Sequence, residues 1–220
     1  MAVVTVDFDG TLYQGNSFKV MFQVARKEYG IKEWIVVGSG LLRSMFVGVF
    51  KGKEAFKHQF FHSFVRSFKG KSQEELASFF GELAREDLGR VNRPLVEKIK
   101  QHQSYGDDVV VLSGALMPFL KAFVKEIELE NVETIGTQLV FDEDGICPGK
   151  MGRIVNGEEK VNQLHKWLKQ HYKEQATETL YAYADSESDA PLLDLVDHPI
   201  VVNPGERMQK LATQKSWPVF

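Results

Sequence analysis

Two aspartates, Asp7 and Asp9, stand two residues apart in VTVDFDGTL, the stretch 4–12, just where the apolar run 3–6 stops. In an extended chain that spacing sends both carboxylates to one face. Gly10 follows and permits a turn that a larger side chain resists. Paired carboxylates of this kind can hold a cation, pass a proton or attack an electrophile, and they can equally well be a polar loop capping the next element. The pattern recurs in YAYADSESDAPLL, 181–193, where an apolar run ends in Asp185 and Asp189 follows four residues on. Asp189 also suits the first turn of a helix, so capping competes for it. A third apolar run, in VVVLSGA at 109–115, ends in Ser113 and Gly114. A hydroxyl and free backbone N–H groups at a strand-to-helix turn suit a phosphate. Lys160, in NGEEKVNQL, supplies a positive charge at the start of a helical segment.

Gathered in one place, these residues make a coherent site. Several carboxylates brought together raise each other's pKa unless a cation is present. Magnesium prefers oxygen ligands and also neutralises phosphate oxygens. One carboxylate is then free to act as a nucleophile and form an acyl phosphate.

The elements that must position them follow from periodicity. Five short apolar runs read as strands, at 3–6, 109–112, 134–140, 180–184 and 200–202. The first, second and last are nearly unbroken in valine and isoleucine, as expected of strands covered on both faces in a parallel sheet. Helical segments lie between them, at 93–103, 117–128 and 161–171. That alternation predicts an α/β fold with right-handed crossovers. A crossover needs about a dozen residues, yet residues 14–90, rich in helix formers and aromatics, lie between the first two strands. A helical insert accounts for them, placed over the carboxyl ends of the strands where open α/β sheets bind ligands. Within it Phe56, Phe60, Phe61, Phe64 and Phe68 recur near helical spacing and predict one buried face. The stretch 34–50, WIVVGSGLLRSMFVGVF, is about as long as the shortest spanning helices. Arg43 at its middle and three glycines argue instead for a buried or pocket-lining helix pair, without stable membrane insertion.

The bulk numbers narrow the function class. A chain of 220 residues with net charge −3 and no basic run offers no field for gripping nucleic acid. A single cysteine, Cys147, fits a reducing compartment, and the first residues lack a basic n-region and a cleavage site, so cytoplasm is the expected location. His58 and His62 share a helical spacing but lack a third ligand motif. Ser113 lacks the first glycine of G-x-S-x-G and a placed histidine, which argues against a serine hydrolase.

Taken in order, DFDGT at 7–11, Ser113, Lys160 and the Asp185/Asp189 pair resemble the four motifs of the haloacid dehalogenase superfamily. The chain is most similar to its phosphoserine-phosphatase-like branch, which carries a helical cap between the first two strands. The resemblance spans the whole chain. It implies a Rossmann-like three-layer core with a central parallel sheet, at residues 1–13 and 91–220, and a helical cap at 14–90. It also implies a magnesium-dependent phosphatase that forms an aspartyl-phosphate from a small phosphorylated metabolite. Asp7 would be the nucleophile and a metal ligand. Asp9 would protonate the leaving alcohol and then activate water, its carbonyl touching the metal, with Thr11 orienting it. Ser113 and Gly114 would hold the phosphoryl oxygens, with Lys160 balancing charge on the phosphate and on Asp7. Asp185 would bind magnesium, and Asp189 would hold Lys160 or a metal-bound water. Where phosphoserine phosphatases carry a glutamate nine residues after the nucleophile, this chain has Asn16, which argues against phosphoserine as substrate. The leaving group would be read by the cap, through its aromatics, Trp34, Phe46 and Phe50 among them, or through Arg43, Lys51, Lys53 and Arg66; the alternative is that the aromatics only hold the cap together. A phosphotransferase of the same fold, or a ligand-binding regulatory module, remain the competing functions.

Overall fold

The computed structural model describes residues 1–172 and 178–220, without the side chains of Val47, Lys51, Lys53, Glu54 and Lys57. Five parallel strands form one sheet in the order β3-β2-β1-β4-β5. They are β1 (Ala2–Val6), β2 (Asp108–Leu116), β3 (Val132–Thr137), β4 (Thr179–Ala184) and β5 (His198–Val201). β1 is central and buried throughout. The runs are apolar without alternation because each face has its own cover. Val4, Val6, Val109, Val111 and Tyr183 join one apolar cluster, and Val3, Val110, Leu112, Ala182 and Ala184 join another. The period of two thus sorts every strand between two cores.

The first core is closed by α5 (Arg93–Ser104) and α6 (Met117–Glu126), through Leu95, Ile99, Phe119 and Phe123. The second is closed by α7 (Glu158–His171), α8 (Ala190–Leu195) and α9 (Glu206–Lys215), through Leu164, Trp167, Leu192 and Met208. This is the expected α/β arrangement. The third strand corrects the sequence reading, being placed at Val132–Thr137 instead of 134–140. The apolar residues beyond it serve another pairing: the Val140 N–H donates to Lys150 O at 3.1 Å and the Gly152 N–H to Gln138 O at 2.9 Å.

Four helices stand between β1 and α5: α1 (Ser17–Glu28), α2 (Ile31–Lys51), α3 (Lys53–Arg66) and α4 (Gln73–Glu86). Asn16 caps α1, and a reciprocal Ser72/Glu75 capping box opens α4. Phe60, Phe64 and Phe68 make the buried stripe, while Phe56 and Phe61 are only half-buried. Phe64 is fully enclosed, edge-on to Phe18 and Phe68 and stacked on Tyr29. The expectation of a buried helix pair needs correction for α2. Val37, Gly40 and Ser44 are buried, and a Cβ on Gly40 would overlap Ser63, so α2 and α3 pack closely there. The opposite side of α2, including Ile35, Leu42, Phe46 and Val49, is exposed. Periodicity defined a face but not which side of the helix would be covered.

Candidate active site

The turn after β1 is held by backbone and core contacts. The Asp7 N–H donates to Tyr183 O at 2.9 Å, tying the end of β1 to β4. Phe8 plugs the first core, stacked on Tyr13 with Phe119 and Phe123 edge-on. Its burial points the flanking carboxylates away from that core. Gly10 adopts φ +85°, and any Cβ there would overlap the Asp185 carboxylate. Glycine is required twice over, by the backbone and by the approach of Asp185.

The carboxylates are arranged about one ammonium. Lys160, in the first turn of α7 and only 2% exposed, sets its Nζ 2.6 Å from Asp7 Oδ1 and 2.6 Å from Asp189 Oδ1. The second approach is an ion pair outside hydrogen-bond geometry, and no other donor among the described residues reaches that oxygen. Asp189 Oδ2 accepts from Ser186 Oγ at 3.1 Å. Asp189 precedes α8 but makes no side-chain cap bond, so the capping alternative does not describe it. Carboxylate oxygens of Asp7, Asp185 and Asp189 lie within 4.8 Å of one another.

Asp9 is held apart from this cluster. Its two oxygens accept from the Ser17 N–H and the Ser17 hydroxyl, each at 2.6 Å, at the start of α1. The Thr11 hydroxyl donates to Asp185 Oδ1 at 3.3 Å, whereas the sequence reading had it orienting Asp9. Ser17 takes that place. Its only sequence signal was a hydroxyl at a helix start, a position with many ordinary occupants. Ser113 is 2% exposed on the neighbouring strand, its Oγ accepting from the Ala115 N–H at 3.3 Å. Gly114 lies against residues 154–156, which lead into α7. Thr137, which sequence reasoning passed over, links these pieces by donating to Gly114 O at 2.8 Å and accepting from the Val155 N–H at 3.3 Å.

Electrostatics follow from burial. Asp7 is pushed up to about 7, mainly because burial penalises its charged form, and Lys160 only partly opposes this. Burial likewise lifts Asp9 to about 6 against the two Ser17 bonds. Asp185 rises to about 6 through burial and the charge of Asp189. For Lys160, burial works to lower the pKa, but Asp189 and Asp7 overcome it and hold the ammonium protonated. One ammonium facing three clustered carboxylates leaves negative charge uncompensated. An all-oxygen donor set with that excess fits a hard divalent cation.

The substrate-reading candidates are mostly engaged elsewhere. Asn16 Oδ1 accepts from the Lys19 N–H at 3.1 Å as the cap of α1. Trp34 packs edge-on to Phe22 and Tyr29, Phe46 and Phe50 are exposed, and Arg43 and Arg66 face solvent. Lys51 and Lys53 lie outside the described side chains. Two surface hollows of about 660 and 620 Å³ flank α6–β3 and β5, away from these carboxylates.

A sequence model of the family described as haloacid dehalogenase-like hydrolase matches residues 4–194. A histidinol-phosphatase of Neisseria meningitidis is 34% identical over 152 residues, covering 68% of this chain and 68% of that protein. The chain spans a little under half the length of the other curated relatives it matches. Among solved structures, a protein of unknown function from Bordetella pertussis superposes with a TM-score of 0.77 at 21% identity, covering 99% of this chain and 97% of that one. A probable phosphoserine phosphatase from Vibrio cholerae has a TM-score of 0.66 at 14% identity, covering 94% and 58% respectively.

Proposed function

This chain belongs to the haloacid dehalogenase-like hydrolases and is a phosphatase of that family, and on that premise we propose that it hydrolyses a small phosphate monoester through an aspartyl-phosphate on Asp7. The observation that carries the reading is the buried triad in which Lys160 contacts both Asp7 and Asp189 at 2.6 Å, beside Asp185. An Asp7 oxygen attacks phosphorus as the ester P–O bond breaks, and Asp9 gives its proton to the departing alkoxide. Asp9, now a carboxylate, takes a proton from water; the hydroxide oxygen bonds to phosphorus and the Asp7–phosphorus bond breaks. Lys160 offsets charge on the transferring group, and Ser113 with the Gly114 N–H receives its oxygens. Magnesium, held by Asp7, Asp185 and the Asp9 carbonyl with Asp189 behind them, would supply charge neutralisation for the phosphoryl oxygens.

The four helices of residues 14–90 act as the cap over a core of 1–13 and 91–220. The link from Ser17 to Asp9 supports this division, since it joins the first cap helix to the acid just past the carboxyl end of the central strand. Histidinol phosphate heads the candidate substrates because of the relative at 34% identity. Phosphoserine ranks lower, since Asn16 carries no charge and its oxygen is used as a cap.

Purified protein is expected to release phosphate from p-nitrophenyl phosphate with magnesium and to stop when a chelator is added. Full turnover in chelator would remove the metal from the proposal. A screen of histidinol phosphate, phosphoserine and simple alkyl phosphates, with added alcohols as acceptors, ranks substrates and separates hydrolysis from phosphotransfer. Phosphoserine as the preferred ester by a wide margin would overturn the argument from Asn16.

A further inference from the structure

The hairpin of α2 and α3 carries an apolar face that the active site does not use. At about 100° per residue, Ile31, Ile35, Leu42, Met45, Phe46 and Val49 fall on one side of α2, with Val37, Gly40 and Ser44 opposite. The second set is buried. The first is exposed, from 55% at Met45 to 81% at Ile31 and Val49. A surface helix ordinarily turns its polar side outward, so this orientation is inverted. The face runs for about 27 Å. Near its end the Phe46 and Phe50 rings, 70% and 73% exposed, meet at 5.2 Å. A contiguous apolar surface of this size, on the order of 1,000 Å² from residue areas, marks an interaction site.

Area alone admits two occupants, since one side of a stable dimer buries about 800 Å². Charge separates them. Residues 31–66 hold six lysines and arginines against two acids, in a chain of net charge −3. Lys51, Lys53 and Lys57 follow the Phe46–Phe50 stretch in sequence. Pairing two copies through α2 in parallel would bring two lysine-rich tips together. Pairing them antiparallel would set the Lys32–Glu33 end of each, which carries no net charge, beside the tip of the other. Neither arrangement brings an excess of opposite charge to the basic tip. An anionic bilayer instead takes up Phe, Val and Met side chains at its boundary and attracts a segment with an excess of basic residues. Against spanning stand Arg43 at mid-helix and the pairing of α2, with Gly40 touching Ser63, to α3, whose 14 residues fall short of the roughly 20 a span needs.

We infer that the outer face of α2 docks this protein onto the surface of an anionic lipid bilayer, with the hairpin lying in the interface. The inference rests on the hairpin alone and stands or falls separately from the phosphatase reading. The test is flotation of the chain with vesicles of phosphatidylcholine alone or with about one third phosphatidylglycerol. The parent is expected to float with the anionic vesicles and to be released as salt shortens the range of attraction. The double variant F46S/F50S is expected to lower partitioning about tenfold or more, with unchanged p-nitrophenyl phosphate turnover in solution. Leu42→Gln repeats the test on the same face with a good helix former. No flotation of the parent, or equal flotation of parent and variants, overturns the inference. A parent that ignores vesicles but sediments as a dimer, and becomes monomeric with F46S/F50S, assigns the face to a second copy instead.

Discussion

Asp7 and Asp9 sit two residues apart and face different partners, one a buried lysine and the other the start of a helix. That difference sets what each substitution should do. Asp7→Asn is expected to abolish turnover while the protein stays folded. The amide cannot attack phosphorus, and it removes a carboxylate whose ionisation burial already opposes. In magnesium-free buffer near pH 8 its unfolding midpoint is expected at or above that of the parent; substantial remaining turnover would take Asp7 out of its role. Ser17→Ala removes one of the two donors to Asp9 and keeps the backbone one. Turnover of alkyl phosphates, whose poor leaving group needs a well-placed acid, is expected to fall about tenfold. p-Nitrophenyl phosphate, which leaves readily, should be nearly unaffected. Equal losses on both esters would make Ser17 a structural residue only.

Among the elements, α3 owes its place to Phe60 and Phe64, one helical turn apart, and to Phe68 in the turn that follows it. Phe64 is the hub, touching the rings of Phe18 on α1, Tyr29 just past α1 and Phe68 in the turn after α3. Phe64→Ala is expected to cost about 3–5 kcal/mol, the transfer of a large ring plus the void it leaves. Urea unfolding checks this, and a loss under about 1 kcal/mol would mean the helices close over the gap. The aromatics that were candidates for reading the leaving group mostly hold these helices to one another, which is what periodic apolar stripes usually do.

At the scale of the molecule, the carboxylate cluster makes stability depend on pH and metal together. Asp7, Asp9 and Asp185 have an ordinary value of 3.8 and titrate near 7, 6 and 6 when folded. Between those limits the folded state binds more protons than the unfolded chain, so stability falls as pH rises from about 4 to about 7. Below that window the contribution is fully present; above it the loss is complete. Magnesium bound to the ionised cluster should restore it. The rise in unfolding midpoint on adding magnesium is therefore expected to be several degrees near pH 8 and small near pH 5. An equal rise at both values would place the metal away from these groups.

Local pattern was enough for much of this. Strands covered on both faces lose their alternation, so the valine runs of β1 and β2 were legible, as was the aromatic stripe of α3. Ordered motifs, three at strand ends and one at the start of a helix, marked Asp7, Ser113, Asp185 and Lys160 as one constellation. The resemblance carried the meeting of Lys160 with Asp7, across 153 positions, and with Asp189. Other contacts between distant segments were not legible, because periodicity describes how a side chain leaves its own backbone and not what it meets. Nothing in the sequence showed that Thr11 would serve Asp185 or that Ser17 would hold Asp9. The same limit governs α2. Its sequence determined an apolar face, and only packing against α3 through Gly40 and Ser44 decided that this face would look outward.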